Sequence, residues 1–439
     1  MQTISITRDI PVIASYDVVV CGGGPSGFVA AISAAREHKK VALIERFGFF
    51  GGTATGGYVV PISGFYFKGT RVVGGIAWEF VKRLEALGAA QVELPRGHVS
   101  VNVEYYKLIA QEMLEESGVD LYTNSYLSGC TTVTDDSGKR LTHVAFESKN
   151  GTEAIEGKCF IDATGDGDLA SMAGVPMLPS PEHLQPVSLC FVLTNVDTDT
   201  DLLREYIHHD AKHGHGSCSK EIRDYLLSRV EDGSIAQFGG PWFNALLKGN
   251  SVAVNVTRHE VDATDRAAYA RAESVLRRDM FRIVELLREK YPEFRNAEIV
   301  SSGVNAGIRE TRHIKGLCTM SLSDVLNGTV FDCPVAHCAH PMDIHSAKDA
   351  GQQLTSLKAD CFVPYGATVA EGFPNLITAC RAISAEREPY ASLRVQATLM
   401  SIGECAGVAA ALASETGASV ASAPSEELKR RIGARNVVL

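Results

Sequence analysis

Three glycines, Gly22, Gly24 and Gly27, stand in G-x-G-x-x-G spacing, and Glu45 closes the later run "VALIE". Residues of these types at this spacing hold a dinucleotide. The first glycine permits a tight turn, the second lets a pyrophosphate approach the backbone, and the third lets a helix pack closely on a strand. The phosphate charge then lies at the helix N-terminus, where Pro25 and Ser26 begin. An acid about 20 residues on hydrogen-bonds a ribose hydroxyl, the place Glu45 takes. The flanking elements follow from composition. Val18 to Val20 form a β-branched apolar run that reads as a short buried strand, and Ala30, Ala31, Ile32, Ala34 and Ala35 read as the helix. The unit binds a dinucleotide; at this point FAD and NAD are both open.

Later blocks bear on that choice. "IDATGDGD" at 161–168 sets apolar residues before Ala163-Thr164-Gly165, with Asp166 and Asp168 just beyond. A simple NAD-dependent dehydrogenase needs one doubly wound domain and no second glycine-acid turn. FAD is longer, and its ring needs a further clamp. The small residues around Ile402 and Gly403 read as a helix N-terminus that approaches the flavin and stabilises negative charge on the reduced ring. The blocks together favour FAD, and no residue gives a reason for covalent attachment.

Size and charge bound the rest. A chain of 439 residues exceeds one compact core, so two lobes are expected. The net charge of −10 argues against nucleic acid as partner. The first twenty residues lack a secretory pattern, and no apolar run nears the roughly 20 residues of a membrane span, so a cytoplasmic protein without a membrane role is expected. The 11 cysteines suggest no disulfide framework. "HHDAKHGHGSC", with His208, His209, His213, His215 and Cys218, reads as an adventitious rather than functional metal site.

The pattern along the chain predicts a discontinuous FAD-binding domain at 1–65, 101–180 and 355–439. A substrate or cap domain takes 66–100 and 181–354. Helical periodicity predicts helices over 102–117 and 265–290, and "DDSGKR" predicts a hairpin.

The motifs "VVVCGGGPSGFVAAISAAR", "LIERFGFFGGTATGG", "IDATGDGDLASMAG", "GIRETRHIKG" and "NLITACRAISAEREPYASLRVQATLMSIGECAGVAAALA" resemble the FAD-dependent oxidoreductase family of glutathione-reductase-like fold, related to fumarate reductase flavoproteins. The resemblance implies an α/β fold, a Rossmann-like FAD-binding domain with an inserted α+β substrate domain. It also implies Glu45, with Arg46, at the adenosine ribose. Gly51, Gly52 and Thr53 fall around the pyrophosphate or ribityl chain, with Asp166 near the same region. Gly403 onward closes over the flavin, and Arg381 belongs to the same terminal block. Arg387 stands where the family pattern often carries histidine, and a guanidinium is a poor base.

Hydride transfer to flavin N5 needs a base for the substrate's other proton, and cations assist an anionic substrate. The candidate catalytic residues are His345, Arg312, Arg309, His98, Tyr365 and Glu388, together with His313, His340 and Asp343 in the same segments. The expected activity is an FAD-dependent dehydrogenase or oxidase acting on a small, polar or anionic molecule in an interdomain cleft. A flavin monooxygenase using NAD(P)H and a non-enzymatic FAD-binding redox module are the alternatives. An oligomer is compatible with the sequence.

Overall fold

The computed structural model describes residues 3–4, 7–94, 97–136, 138–203, 219–246, 250–422 and 426–434. The His-rich stretch His208–Cys218 lies outside the described residues.

The centre is a seven-stranded sheet. Strand β1 (Val12–Cys21) pairs in parallel with β2 (Val41–Ile44) on one side and with the strand Gly151–Asp162 on the other. Gly151–Asp162 also pairs in parallel with Leu376–Thr378, and Val41–Ile44 with Asp120–Tyr122. The predicted hairpin forms as Tyr126–Asp135 against Gly138–Ser148. Because the second half of β1, Val18–Cys21, is covered on both faces, it reads as an unbroken apolar run rather than an alternating one. Helix α1 (Pro25–Arg36) covers one face and packs on the alanine-rich helix Gln396–Thr416, where small residues let the backbones approach closely. A Cβ on Gly403 would lie 2.2 Å from Ser26 O, and one on Gly407 would lie 2.4 Å from Ala30 O. The helix Gln396–Thr416 is long and apolar enough to cross a membrane, contrary to the expectation that no apolar run approaches that length. Its most apolar window is 83% buried inside the protein, as suits a core helix.

A second core surrounds a four-stranded antiparallel sheet of Phe191–Thr194, Phe238–Ala245, Val252–Thr257 and Glu298–Ser302. The helix Arg266–Lys290 lays Leu276, Met280, Ile283, Val284 and Leu287 against it. This is the inserted α+β unit, and its core departs from the expected 66–100 and 181–354 in two places. Residues 66–100 do not join it. Phe65, Val73, Ile76, Phe80, Leu84 and Val99 belong to the first core, as do Val335, Cys338, Met342 and Val363. The helix Gly75–Ala86 is fastened there by Glu404 of the alanine-rich helix, whose Oε2 accepts from Ile76 N at 2.8 Å.

Candidate active site

At the end of β1 the chain turns through Gly22 at φ +100°, and a Cβ there would lie 2.4 Å from Ala163 O. A Cβ on Gly27 would lie 1.8 Å from Gly22 O. Protein packing alone therefore demands both glycines. Gly24 differs: the nearest atom to its hypothetical Cβ is 4.0 Å away, so nothing in the protein requires a glycine. Gly24 is also the N-cap of α1, with no side-chain cap, Pro25 at the start and no acidic residue in the first turn. An uncapped helix N-terminus beside a glycine left open by the protein fits a pyrophosphate held by backbone N–H groups.

Glu45 is 6% exposed. Its Oε2 accepts from Gly23 N at 2.6 Å and its Oε1 from Phe47 N at 2.8 Å. Burial raises its pKa against the pull of these N–H groups. The carboxylate braces the glycine loop, and its remaining lone pairs are those a ribose hydroxyl can use. Arg46 is exposed and stacks over Phe47 at 4.7 Å.

The second glycine-rich stretch leads away from this point. Gly51 N donates to Gly23 O at 2.8 Å, and a Cβ on Gly52 would lie 3.0 Å from Gly24 Cα. The chain continues through the short 3-10 turn Gly52–Ala54, which contains Thr53. It ends at Val59, whose carbonyl accepts from Gln396 Nε2 at 2.9 Å. The stretch 51–59 thus runs from one uncapped helix N-terminus to a second, since Gln396–Thr416 also starts with neither a side-chain cap nor an acid in its first turn. That start corrects an expectation. The helix N-terminus lies at Gln396, whereas Ile402 and Gly403 sit inside the helix and pack against protein.

Ala163 N donates to Cys21 O at 2.8 Å, joining the third block to β1. Gly165, at φ +95°, carries the Arg381 guanidinium where a Cβ would stand. Arg381 Nη2 and Thr311 Oγ1 each donate to Asp166 Oδ1 at 2.6 Å. Arg312 Nη1 donates to Asp168 Oδ1 at 3.1 Å. Arg312, expected to orient substrate, is instead one side of this ion-pair network.

The other candidates separate sharply. Tyr365 is buried, and its hydroxyl donates to Val420 O at 2.9 Å, so it ties the nucleotide lobe together and reaches no cleft. Glu388 is half-buried in the first turn of the helix Arg387–Leu393. His98 is half-buried, with Nδ1 3.3 Å from Ser63 Oγ, and Ser63 adjoins Gly64, which packs on Val395. His313 Nδ1 donates to Ile383 O at 3.1 Å, and its ring meets Tyr390 edge-on.

His345 was the expected base, and its surroundings argue otherwise. Arg258 Nη2 lies 2.9 Å from its Nδ1. A guanidinium has no lone pair, so Nδ1 must accept and the Nε2 proton must go to Asp343 Oδ2 at 3.0 Å. Both ring nitrogens are occupied. Burial, then Arg309, lower its pKa to about 3, so the ring is neutral at physiological pH. His340 is the contrasting case. Its Nδ1 donates to Pro341 O at 2.8 Å, it is half-buried, and its Nε2 makes no hydrogen bond among the described residues. Burial lowers its pKa, so it too is neutral, with a lone pair to offer.

Around these histidines lie Arg309, which the sequence named, and residues that motif reading passed over. Arg394 Nη2 donates to Gln185 Oε1 at 3.2 Å and to Asp343 O at 2.9 Å. Arg309 Nη1 donates to Pro186 O at 2.6 Å and Ser188 Oγ at 2.8 Å. The Tyr390 hydroxyl donates to Arg309 O. Gln185, Arg258 and Arg394 come from separate stretches with no local spacing to mark them; only the folded chain joins them.

A pH test follows from His345. Its folded pKa lies below the unfolded value of 6.5, so between those values the unfolded chain binds the extra proton. Stability is therefore full above about pH 6.5 and falls with pH below it, by at most about 1.4 kcal/mol per pH unit. Asp343, whose pKa is held down by His345 and Arg394 against the effect of burial, adds its loss only below the ordinary carboxylate range. His345→Gln keeps an acceptor for Arg258 and a donor for Asp343 but cannot titrate. Its urea midpoint is expected to fall less than that of the native protein between pH 7 and about pH 5. Equal falls would show that His345 is not the titrating group.

Residues 17–432 match the family described as FAD dependent oxidoreductase. A segment of 54 residues is 48% identical to dihydrolipoyl dehydrogenase of Trypanosoma brucei brucei, covering 12% of this chain and 11% of that protein. A segment of 45 residues is 49% identical to a putative bifunctional amine oxidase of Dictyostelium discoideum, covering 10% of this chain and 4% of that one. The chain thus spans only a small part of the length of these curated relatives. Among solved structures, the flavin-dependent brominase Bmp2 aligns over 95% of this chain and 84% of its own at 14% identity, with a TM-score of 0.51, which shows a shared fold.

Proposed function

The chain belongs to the FAD-dependent oxidoreductase family and uses FAD, and from that premise we propose that it oxidises a small organic substrate by hydride transfer to the flavin. The observation that carries this reading is His340, a neutral half-buried imidazole with an open Nε2. It belongs to the same charged neighbourhood as Asp343 and Arg394, both of which influence its protonation.

The glycine loop, the N-terminus of α1, Glu45 and the stretch 51–59 would hold FAD without a covalent bond. When bound, FAD supplies the two-electron acceptor at N5. The chain's own part is the proton. His340 Nε2 takes it from the substrate's hydroxyl or amine as the adjacent C–H bond gives up its hydride, and the Nδ1–H bond to Pro341 O fixes the tautomer. Arg309 orients the substrate. A protein acting on a small diffusible molecule in this way needs no membrane or nucleic-acid partner, and a cytoplasmic setting suits that role.

Anaerobic mixing of the purified holoenzyme with a library of alcohols, hydroxy acids and amines tests the reading. A donor is expected to bleach the flavin absorbance, and deuterium on its C–H is expected to slow the bleaching. Bleaching by NADPH alone, with no response to any donor, would replace this reading by the monooxygenase one.

A further inference from the structure

Three guanidiniums converge beside the second core with little anionic charge to balance them. Arg258 is 2% exposed, and its Nη1 donates to the carbonyls of Asp349 and Gly351 at 3.0 Å each. Among the described residues the Arg309 guanidinium donates to Pro186 O and Ser188 Oγ alone. Arg394 meets Gln185 Oε1 and Asp343 O, with the Asp343 carboxylate 3.8 Å away. Asp343 is already engaged by His345 and by Gln352 Nε2, which donates at 2.6 Å. Glu310 is taken up by Gln185 N at 2.9 Å and faces His313.

The arginines consequently repel one another. Burial, then Arg394, lower the Arg309 pKa to about 10, and burial, then Arg309, lower that of Arg258 to about 9. Buried like charges are unfavourable unless an anion joins them. Donors also stand waiting. Gln185 is fully buried, yet among the described residues its Nε2 has no hydrogen-bond partner, and neither has the buried Arg394 Nε. Arg309 Nε and Nη2 make no hydrogen bond among the described residues.

We propose that Arg309, Arg394 and Gln185 form a carboxylate-binding site, and that the substrate is a carboxylic acid held there. Planar guanidinium forks match a carboxylate in geometry. Between Arg309 and Arg394, with the Asp343 carboxylate 3.8 Å from Arg394, one positive charge is left over, which matches a monoanion. The identification of the anion as substrate rests on the hydride-transfer reading, because His340, the base of that reading, lies within the influence of Arg394.

The test is titration of the holoenzyme with glycolate, lactate, succinate and benzoate, each against its primary amide, following the flavin absorbance. At least one acid is expected to saturate the signal and to bind about tenfold or more tightly than its amide. Arg309→Gln and Arg394→Gln are each expected to weaken that acid about tenfold or more, Arg309→Lys by less, and the surface change Arg430→Gln not at all. Amides that bind as well as acids, the absence of any acid response, or folded Arg309→Gln and Arg394→Gln variants with native affinity would each overturn the site. Acids that bind but never bleach the flavin under anaerobic conditions would keep the site and end the hydride reading. Amides that bleach as fast as acids would do the reverse.

Discussion

Gly24→Ala is expected to yield a folded protein that has lost most of its flavin, whereas Gly27→Ala is expected to yield little folded protein at all. The difference lies in what each methyl group meets. At Gly27 it would stand 1.8 Å from Gly22 O, a backbone atom held by the turn at the end of β1, so either the helix or the strand must move. Overpacking of this kind costs about 1–3 kcal/mol and occasionally more, a large share of a typical domain's stability. At Gly24 the nearest protein atom is 4.0 Å away, and the residue's φ of −66° suits alanine. Its methyl group intrudes only on the space that a pyrophosphate would occupy over the N-terminus of α1. The urea midpoint of apo Gly24→Ala is therefore expected within about 0.5 kcal/mol of native, as for a change touching no packed feature. Flavin content, read as absorbance per mole of protein, is expected to fall steeply. Full flavin content in Gly24→Ala would mean that the phosphates lie elsewhere.

Replacing the His340 imidazole is expected to slow turnover by about 10²–10⁴-fold, the usual contribution of a general base. His340→Gln should leave flavin content unchanged, because among the described residues no hydrogen bond joins its side chain to the glycine loops. The pH profile separates a base from a structural residue. The neutral imidazole is the active form, so the rate rises with pH through its pKa, and burial sets that pKa below the ordinary imidazole value. In His340→Gln the limb is expected to vanish along with the rate. In His345→Gln it is expected to persist, since His345 is already neutral and bonded at both nitrogens. An unchanged limb in His340→Gln would move the base to another group, with His98 and Glu388 next in line.

Much of the fold was legible where its signals are local. The turn after β1 is written in the spacing of three glycines. The helix expected over 102–117 is Val103–Glu116, and the one expected over 265–290 is Arg266–Lys290. Periodicity names a face without naming what covers it, however. Residues 66–100 carry an amphipathic helix that either lobe would bury, and only tertiary packing assigns it to the first core. Gly403 misled for a related reason: glycine in a helix can mark an end or a close crossing, and here it is the crossing with Ser26. His345 and His340 are equivalent as letters. What distinguishes them is Arg258, which takes the Nδ1 lone pair of His345 from just past the strand Val252–Thr257, far away in sequence.

The crossing of α1 with the alanine-rich helix also constrains how the protein is made. Ser33 Oγ donates to Glu404 O at 2.7 Å across 371 residues of chain. At about 5–20 residues per second of synthesis, α1 leaves the ribosome roughly 20–70 s before its partner exists. Through that interval the face of α1 that meets the alanine-rich helix lacks that partner, while the second core draws mostly on residues between Val187 and Ala306. The inserted lobe thus has the means to fold first, during translation. The nucleotide lobe, whose α1 precedes the inserted lobe and whose alanine-rich helix follows it, is completed later and is the part that most needs shielding from aggregation in the interval.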